Sequence, residues 1–348
     1  MLALTFQGIE TVRCETIPDP RIEKPDDVIV AVSAAGVCGS DLHVYHGRET
    51  GLDLGTALGH EFVGEVVEVG SEVKRFRPGA HIASPFTTSC GRCEPCLAGL
   101  TARCVHGELF GWRQLGAGLH GAQAQLVRVP LADSTLVAVP AGITSENALL
   151  AGDVLATGYF CAHQGGVSGG KTVAVVGCGP VGLMAVIAAR HLGAERIFAI
   201  DRLQERLDLA VTFGAEPLNL EQPEFEQTVI EATNGLGAHV VLEAVGSPQS
   251  SLLSMRLVRP GGTISAVGVH TEPQFAFSPV EAYDKNLTFK VGRCPARHFM
   301  DEVLGLLAET QVDPSIIISH RLPLTEGDRA YDIFARKLEG CTKAVLSP

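Results

Sequence analysis

From about residue 170 the hydrophobic pattern settles into a rhythm in which short apolar runs alternate with longer stretches of mixed apolar and polar positions. TVAVVG leads to PVGLMAVIAARHLG, RIFAID to RLQERLDLAVTFG, and HVVLEAVG to SPQSSLLSMRLV, before GTISAVGV closes the series. Strands joined by crossover helices produce this alternation, so the pattern predicts an α/β unit with a doubly wound parallel sheet. The first 150 or so residues read differently. VIVAV, GEVVEV and AQAQLVRV are short β-like runs punctuated by Gly and Pro, which predicts an irregular β-domain. About the last 55 residues lose the strand–helix rhythm and are expected to rejoin that domain.

One stretch imitates a membrane span. Thr172 to Ala189 carries no charge over 18 residues, a length at which a span is suspected. Gly177, Gly179, Pro180 and Gly182 interrupt its middle, so it reads as strand, turn and helix.

Composition narrows the function classes. The 348 residues leave room for about two domains, and 46% hydrophobic content is that of a globular protein. With 39 acids against 27 bases the net charge is −12, and no Lys/Arg-rich run occurs; nucleic acid and anionic membrane surfaces are therefore disfavoured as partners. The start, MLALTFQGIE, lacks the basic and long apolar stretches of a signal peptide, so a cytoplasmic location is expected. In that reducing compartment ten cysteines suggest metal binding or reactivity rather than disulfides.

GCGPVG, residues 177–182, follows an apolar strand and opens a helix, the context in which G-x-G-x-x-G marks a dinucleotide site of the Rossmann type. Gly177 permits the tight turn, Gly179 lets the backbone approach a pyrophosphate, and Gly182 allows close helix packing. Pro180 and Val181 begin the helix whose N-terminus supplies oriented N–H donors. Asp201 ends the next strand, 24 residues after Gly177, where a carboxylate can accept hydrogen bonds from an adenosine ribose. This favours NAD over NADP, although Arg202, directly following, could meet a 2′-phosphate. Val267 and Val269, in GTISAVGV, are placed among the cofactor-binding positions as well.

Four cysteines, Cys90, Cys93, Cys96 and Cys104, crowd into fifteen positions with spacing C-x2-C-x2-C-x7-C. Four thiolates close a tetrahedral zinc shell and leave no place for water, so the loop 90–104 is read as scaffold. An iron–sulfur cluster of the ferredoxin kind would end C-x3-C-P, whereas here seven residues intervene and Val105 follows.

Chemistry-bearing residues lie elsewhere. GVCGSDLHVYHG brings together Cys38, Ser40, Asp41 and His43; LGHEFVGEVVEVG supplies His60 and Glu61; AGDVLATGY supplies Asp153. Each alone is weak, since a lone Cys is more often a small buried hydrophobe and a lone His structural. Taken in order with the four-cysteine loop and VVGCGPVG, the chain resembles the zinc-dependent medium-chain alcohol dehydrogenases over essentially its whole length, most of all their formaldehyde-dehydrogenase-related and secondary-alcohol branches.

The resemblance implies a GroES-like, irregular β-barrel catalytic domain, residues 1–154 and 294–348, enclosing in sequence a Rossmann domain, residues 155–293. It makes Cys38, His60 and Asp153 ligands of a catalytic zinc, with Glu61 able to bind the metal transiently. Asp153 stands where many relatives carry Cys or Glu. The resemblance further assigns Ser40 to take the alcohol proton, His43 to pass it to solvent, Phe86 to the substrate wall and Lys343 to the cofactor pyrophosphate. Asp41 is expected to orient His60. Trp112, the sole tryptophan, either walls the substrate site or packs. Cys14, Cys161, Cys178, Cys294 and Cys341 have no ligand spacing and read as buried thiols.

The residue types suit the reaction. Three protein ligands leave one zinc position open, at which an alcohol hydroxyl can be acidified, and NAD⁺ is the matching hydride acceptor. The expectation is an NAD-dependent zinc alcohol dehydrogenase acting on a small alcohol, aldehyde or ketone, with two zinc ions per chain and a homo-oligomeric state, dimer or tetramer. A polyol or threonine dehydrogenase and a silent NAD(H)-sensing protein are the alternatives; the complete ligand set argues against the silent one.

Overall fold

The computed structural model describes residues 1–309 and 312–348. The chain divides into two compact units, Met1–Asp153 with Pro295–Pro348, and Val154–Cys294.

In the second unit the apolar runs become parallel strands, and among the described residues they form a sheet of six, in the order Glu216–Asn219, Arg196–Asp201, Thr172–Val176, Ala238–Glu243, Val258–Ala266 and Thr288–Val291. Thr172 pairs with Arg196 and Val176 with Ile200 on one side, and Val173 with Val240 on the other. The order steps outward in both directions from Thr172–Val176, the doubly wound arrangement that creates a crevice at the strand ends. Ala174, Val176, Phe198, Ile200, Val241 and Ile264 share one core, and each such aliphatic or aromatic side chain contributes about 1.5–3 kcal/mol on burial. The uncharged stretch resolves into the strand Thr172–Val176 and the helix Pro180–His191. Among the described residues no helix is long and apolar enough to cross a membrane.

The first unit is organised by one long strand, Val28–Val37. Its first half pairs with both Phe62–Val69 and Leu126–Val129, and its last residues pair with Lys343–Ser347 from the chain's end. β-Branched residues on this strand meet Phe62, Ile82, Phe110 and Leu136 in one core, where the Phe62 and Phe110 rings lie edge to face at 5.1 Å. A second core joins Leu4, Val37 and Tyr45 to Tyr331, Phe334 and Leu346. Bulges between Ile29 and Val30 and between Val32 and Ala34 bend the strand. Cys38 follows directly on its last residue.

At the glycine turn the fold leaves no room for a side chain. Gly177 has φ +88°, which favours glycine. A Cβ on Gly182 would lie 1.7 Å from the Gly177 carbonyl oxygen, a backbone atom that cannot swing aside. Gly182→Ala is therefore expected to destabilise the Val154–Cys294 unit by about 3 kcal/mol or more and to weaken dinucleotide binding. Urea unfolding and dinucleotide titration check this; wild-type values for both would show that turn and helix pack less closely than they do here.

Candidate functional site

Three chain segments deliver one buried cluster. Cys38 leaves the end of Val28–Val37, His60 and Glu61 lead into Phe62–Val69, and Asp153 lies just after the helix Ser145–Ala151. One donor atom from each of the four lies within 4.8 Å of the others. Asp153 Oδ2 is 3.3 Å from His60 Nε2 and 3.5 Å from Cys38 Sγ. None of the four is more than 8% exposed. The Phe86 ring lies edge-on to His60 at 6.4 Å.

The surroundings fix these donors. Asp41 Oδ1 lies 3.2 Å from His60 Nδ1, so the ring nitrogen that faces the cluster is Nε2. Its other oxygen accepts the Cys38 backbone N–H at 2.9 Å, so one carboxylate holds two of the cluster's residues. Glu61 pairs with Lys343, both wholly buried. Space for the Glu61 carboxylate exists because residue 36 is glycine: a Cβ there would meet Glu61 Oε2 at 1.9 Å.

Electrostatics separate the groups. Burial, reinforced by the charges of Asp153 and Glu61, pushes the Cys38 thiol up to about 11. Burial acts against charge on His60 too, but Asp41, Asp153 and Cys38 outweigh it and hold the imidazole well above its usual value. Asp153, although buried, is drawn down to about 2 by its bond to His60.

This donor set fits zinc. Thiolate, imidazole and carboxylate are its ligands, and with Cys38 ionised and His60 neutral, as metal ligands must be, three negative charges face one lysine, a deficit that a divalent cation offsets. Glu61 Oε1 is buried with no hydrogen-bond partner, an acceptor left over in the cluster. A cation would also keep Cys38 as thiolate despite its burial.

Ser40 and His43 sit on one turn beside the cluster. Ser40 caps the helix Asp41–Tyr45 with its hydroxyl 3.9 Å from Cys38 Sγ, and its carbonyl accepts the His43 N–H at 3.1 Å. The half-buried His43 ring is held below its usual pKa by burial, and its Nδ1 has no partner. Burial thus disfavours charge on this ring, while Nδ1 keeps an unused hydrogen-bonding position.

The four cysteines 90, 93, 96 and 104 also bring one sulfur each to within 4.8 Å of the rest, all as free thiols. Backbone N–H groups of Cys90 and His106 point at Cys104 Sγ, at 3.2 and 3.4 Å, and that of Cys93 at Cys90 Sγ, at 3.4 Å. Backbone N–H donors, that of Val105 foremost, lower the Cys93 thiol to about 6. Such donors favour thiolates ready for a metal. Cys161, Cys178, Cys294 and Cys341 are buried as expected, whereas Cys14 is half-exposed on the strand Thr11–Thr16.

In the other unit, Gly179 precedes the helix Pro180–His191, where the nearest atom to a hypothetical Cβ is Arg206 Nη1 at 3.6 Å, so the approach to its backbone is open. Pro180 and Val181 are half-buried on its first turn. Asp201 does more than wait for a ribose: its oxygens accept N–H groups of Cys178 at 2.8 Å, Arg202 at 2.7 Å and Leu203 at 3.0 Å. It thus ties the glycine turn to the end of the second strand. Arg202 is exposed, and Arg206, absent from the sequence reading, lies 3.8 Å from Asp201 with its Nε unpartnered. The only sequence signal for it was its place on the turn after Asp201. Val267 donates to Glu243 O at 2.9 Å, and the backbone of Val269 abuts Gly246.

Lys343 is placed differently from the expected free cation: its strand pairs with Val28–Val37 so that the ammonium is 0% exposed and committed to Glu61. Of the two readings of Trp112, the structure shows packing, half-buried against the core of Leu4, Val44, Tyr45 and Tyr331. Gln123 and Tyr331 were missed. Tyr331 Oη donates to Gln123 Oε1 at 2.9 Å, and Gln123 Nε2 donates to Asp41 Oδ2 at 3.3 Å. Single polar residues 208 positions apart carry no motif.

Comparison with known proteins agrees with this geometry. Residues 24–141 match the alcohol dehydrogenase GroES-like domain, and residues 180–309 the zinc-binding dehydrogenase family. Zinc-type alcohol dehydrogenase B of Aspergillus flavus is 39% identical over 96% of this chain and 78% of its own length. The solved alcohol dehydrogenase TADH from Thermus sp. ATN1 is 42% identical with a TM-score of 0.94, covering 100% of this chain and 99% of its own. A solved NAD-dependent alcohol dehydrogenase is 25% identical with a TM-score of 0.87, covering both chains fully at 100%. On this fold and these similarities, the chain belongs to the zinc-dependent medium-chain alcohol dehydrogenase family and is a zinc- and NAD-dependent oxidoreductase.

Proposed function

We propose that the cluster of Cys38, His60, Glu61 and Asp153 is the catalytic zinc site, that Cys90, Cys93, Cys96 and Cys104 hold the second zinc, and that the substrate is a small alcohol of the secondary or formaldehyde-adduct type. The observation that carries this is the convergence of thiol, imidazole and two carboxylates within 4.8 Å at a buried point. Cys38, His60 and Asp153 are the three permanent ligands. Glu61, neutralised by Lys343, is the reserve ligand.

Zinc held there supplies Lewis acidity that lowers the pKa of an alcohol hydroxyl, and NAD⁺ accepts the hydride. The chain's own residues do the rest. Asp41 fixes the His60 ring, and Phe86 covers its edge against water. The Ser40 hydroxyl takes the alcohol proton and passes its own on to His43. Asp201 holds the glycine turn in shape for the pyrophosphate, and its charge disfavours a 2′-phosphate. The protein works in the cytoplasm as a homo-oligomer. Primary, secondary and polyhydroxy alcohols and S-hydroxymethylglutathione, assayed by nicotinamide absorbance with NAD⁺ and NADP⁺, test the substrate class. Preferred turnover of a polyol or of threonine would replace it.

Asp153→Asn tests the ligand assignment: Asp153 directly precedes the helix Val154–Gln164, a position that asparagine suits as well as aspartate, at a difference of well under about 1 kcal/mol, whereas asparagine is a poor zinc ligand. The variant is expected to hold one zinc instead of two and to lose activity at least about 100-fold, with the cysteine-bound zinc, NAD⁺ binding and fold retained. Elemental analysis showing two zincs, with near-normal kcat, would move the third ligand to Glu61.

Asp201→Ser is expected to reduce kcat/KM for NAD⁺ by about tenfold or more and for NADP⁺ by less. It removes both the ribose acceptor and the bonds to Cys178, Arg202 and Leu203, while Arg202 and Arg206 remain near any phosphate. An unchanged ratio of the two efficiencies would show that Asp201 serves the turn alone.

A further inference from the structure

Gln123 is a fully buried polar side chain. Burying an amide is costly unless its groups are bonded, and here they are. Nε2 donates to Gly36 O at 3.0 Å and to Asp41 Oδ2 at 3.3 Å, while Oε1 accepts from Tyr331 Oη at 2.9 Å. The amide can point only one way. Turned over, its oxygen would confront a carbonyl and a carboxylate, acceptor against acceptor. The phenol must therefore donate to Gln123, Gln123 to Asp41, and the remaining Asp41 oxygen faces His60 Nδ1 at 3.2 Å.

Space for this chain of bonds is built into the backbone. Gly59, at φ +88°, lies so close that a Cβ there would meet Gln123 Cγ at 2.4 Å. Tyr331 is 0% exposed and wedged against Tyr45, ring centroids 5.3 Å apart, so its hydroxyl has no freedom to seek another partner. Asp41 in turn binds the Cys38 backbone as well as the His60 ring. Whatever holds Asp41 therefore holds two residues of the cluster at once.

We propose that Tyr331 and Gln123 are positioning residues for the zinc cluster: through them the C-terminal helix Gly327–Arg336 sets the Asp41 carboxylate, and with it the orientation of His60 and Cys38. The proposal rests on the assignment of Cys38, His60 and Asp153 as zinc ligands.

Tyr331→Phe keeps the ring and removes only the hydroxyl, and Gln123→Met keeps the volume and removes all three bonds of the amide. The experiment measures chelator-driven zinc release from the holoenzyme, and the visible spectrum after cobalt exchange at the labile site. Each variant is expected to speed release of the labile zinc by roughly three- to tenfold, somewhat less than loss of a direct partner of a ligand, and to shift the cobalt bands. Cysteine-bound zinc and NAD⁺ affinity should stay as in wild type, while the buried groups left without a partner lower the melting temperature modestly. The double variant should be no worse than Gln123→Met alone, because both substitutions cut one chain of bonds. Wild-type release and spectrum in Tyr331→Phe, effects that multiply in the double variant, or faster loss of both zincs alike would each overturn the proposal. The wild-type cobalt spectrum reports separately on the ligand assignment, through the presence of a thiolate-to-cobalt band, so the two readings fail in different measurements.

Discussion

Three acids, Cys38, Glu61 and Asp153, are removed from water with donor atoms inside 4.8 Å of one another, and the first unit is arranged around that constraint. Burying a charge costs several kcal/mol even after relaxation, and neighbouring like charges add to it. Each acid therefore needs a compensating partner delivered from another part of the chain. Lys343 serves Glu61, the His60 imidazole serves Asp153, and a zinc ion held as proposed would serve Cys38 and Asp153. Without a cation the cluster stays neutral where it can, which is why the Cys38 thiol is pushed up to about 11.

That need explains why the unit is discontinuous in sequence. The strand Lys343–Ser347 pairs antiparallel with the end of Val28–Val37, Ala344 opposite Val37 and Leu346 opposite Ala35, and this register sets Lys343 beside Glu61. The preceding helix, Gly327–Arg336, brings Tyr331 to Gln123. The chain must come back to complete the site. Inserting a whole dinucleotide-binding unit before the return is cheap, because loop-closure entropy grows only with the logarithm of length, and residues 154–294 fold around a core of their own.

Features written in local sequence were legible. The alternation of strands and helices, the glycine turn and the cysteine spacing each lie within one short window, and the structure forms the sheet, turn and sulfur cluster they predict. What escaped depends on pairing between distant segments. The direction of the Lys343 side chain follows from the register of its strand with Val28–Val37, which no periodicity near residue 343 records. Trp112 packs on a core most of whose members come from the N- and C-terminal segments. Gln123 and Tyr331 are isolated polar letters whose meaning exists only when residue 331 meets residue 123. Asp201 was read for its charge, but its three backbone partners show that the same carboxylate also shapes the turn.

Glycine shows the same division from the other side. Gly177 and Gly182 belong to a motif because the space they leave is claimed by nearby backbone: Gly182 by the carbonyl of Gly177 itself. Gly36 and Gly59 lie inside the stretches that carry Cys38 and His60, yet the space they leave is for Glu61 and Gln123, side chains distant in sequence from at least one of their own bonding partners. A bulkier residue at 36 would displace the Glu61 carboxylate and strand Lys343 as an unpaired buried cation, which is more damaging than the lost volume alone. The cluster is thus specified as much by where side chains are withheld as by the four residues whose donor atoms converge there.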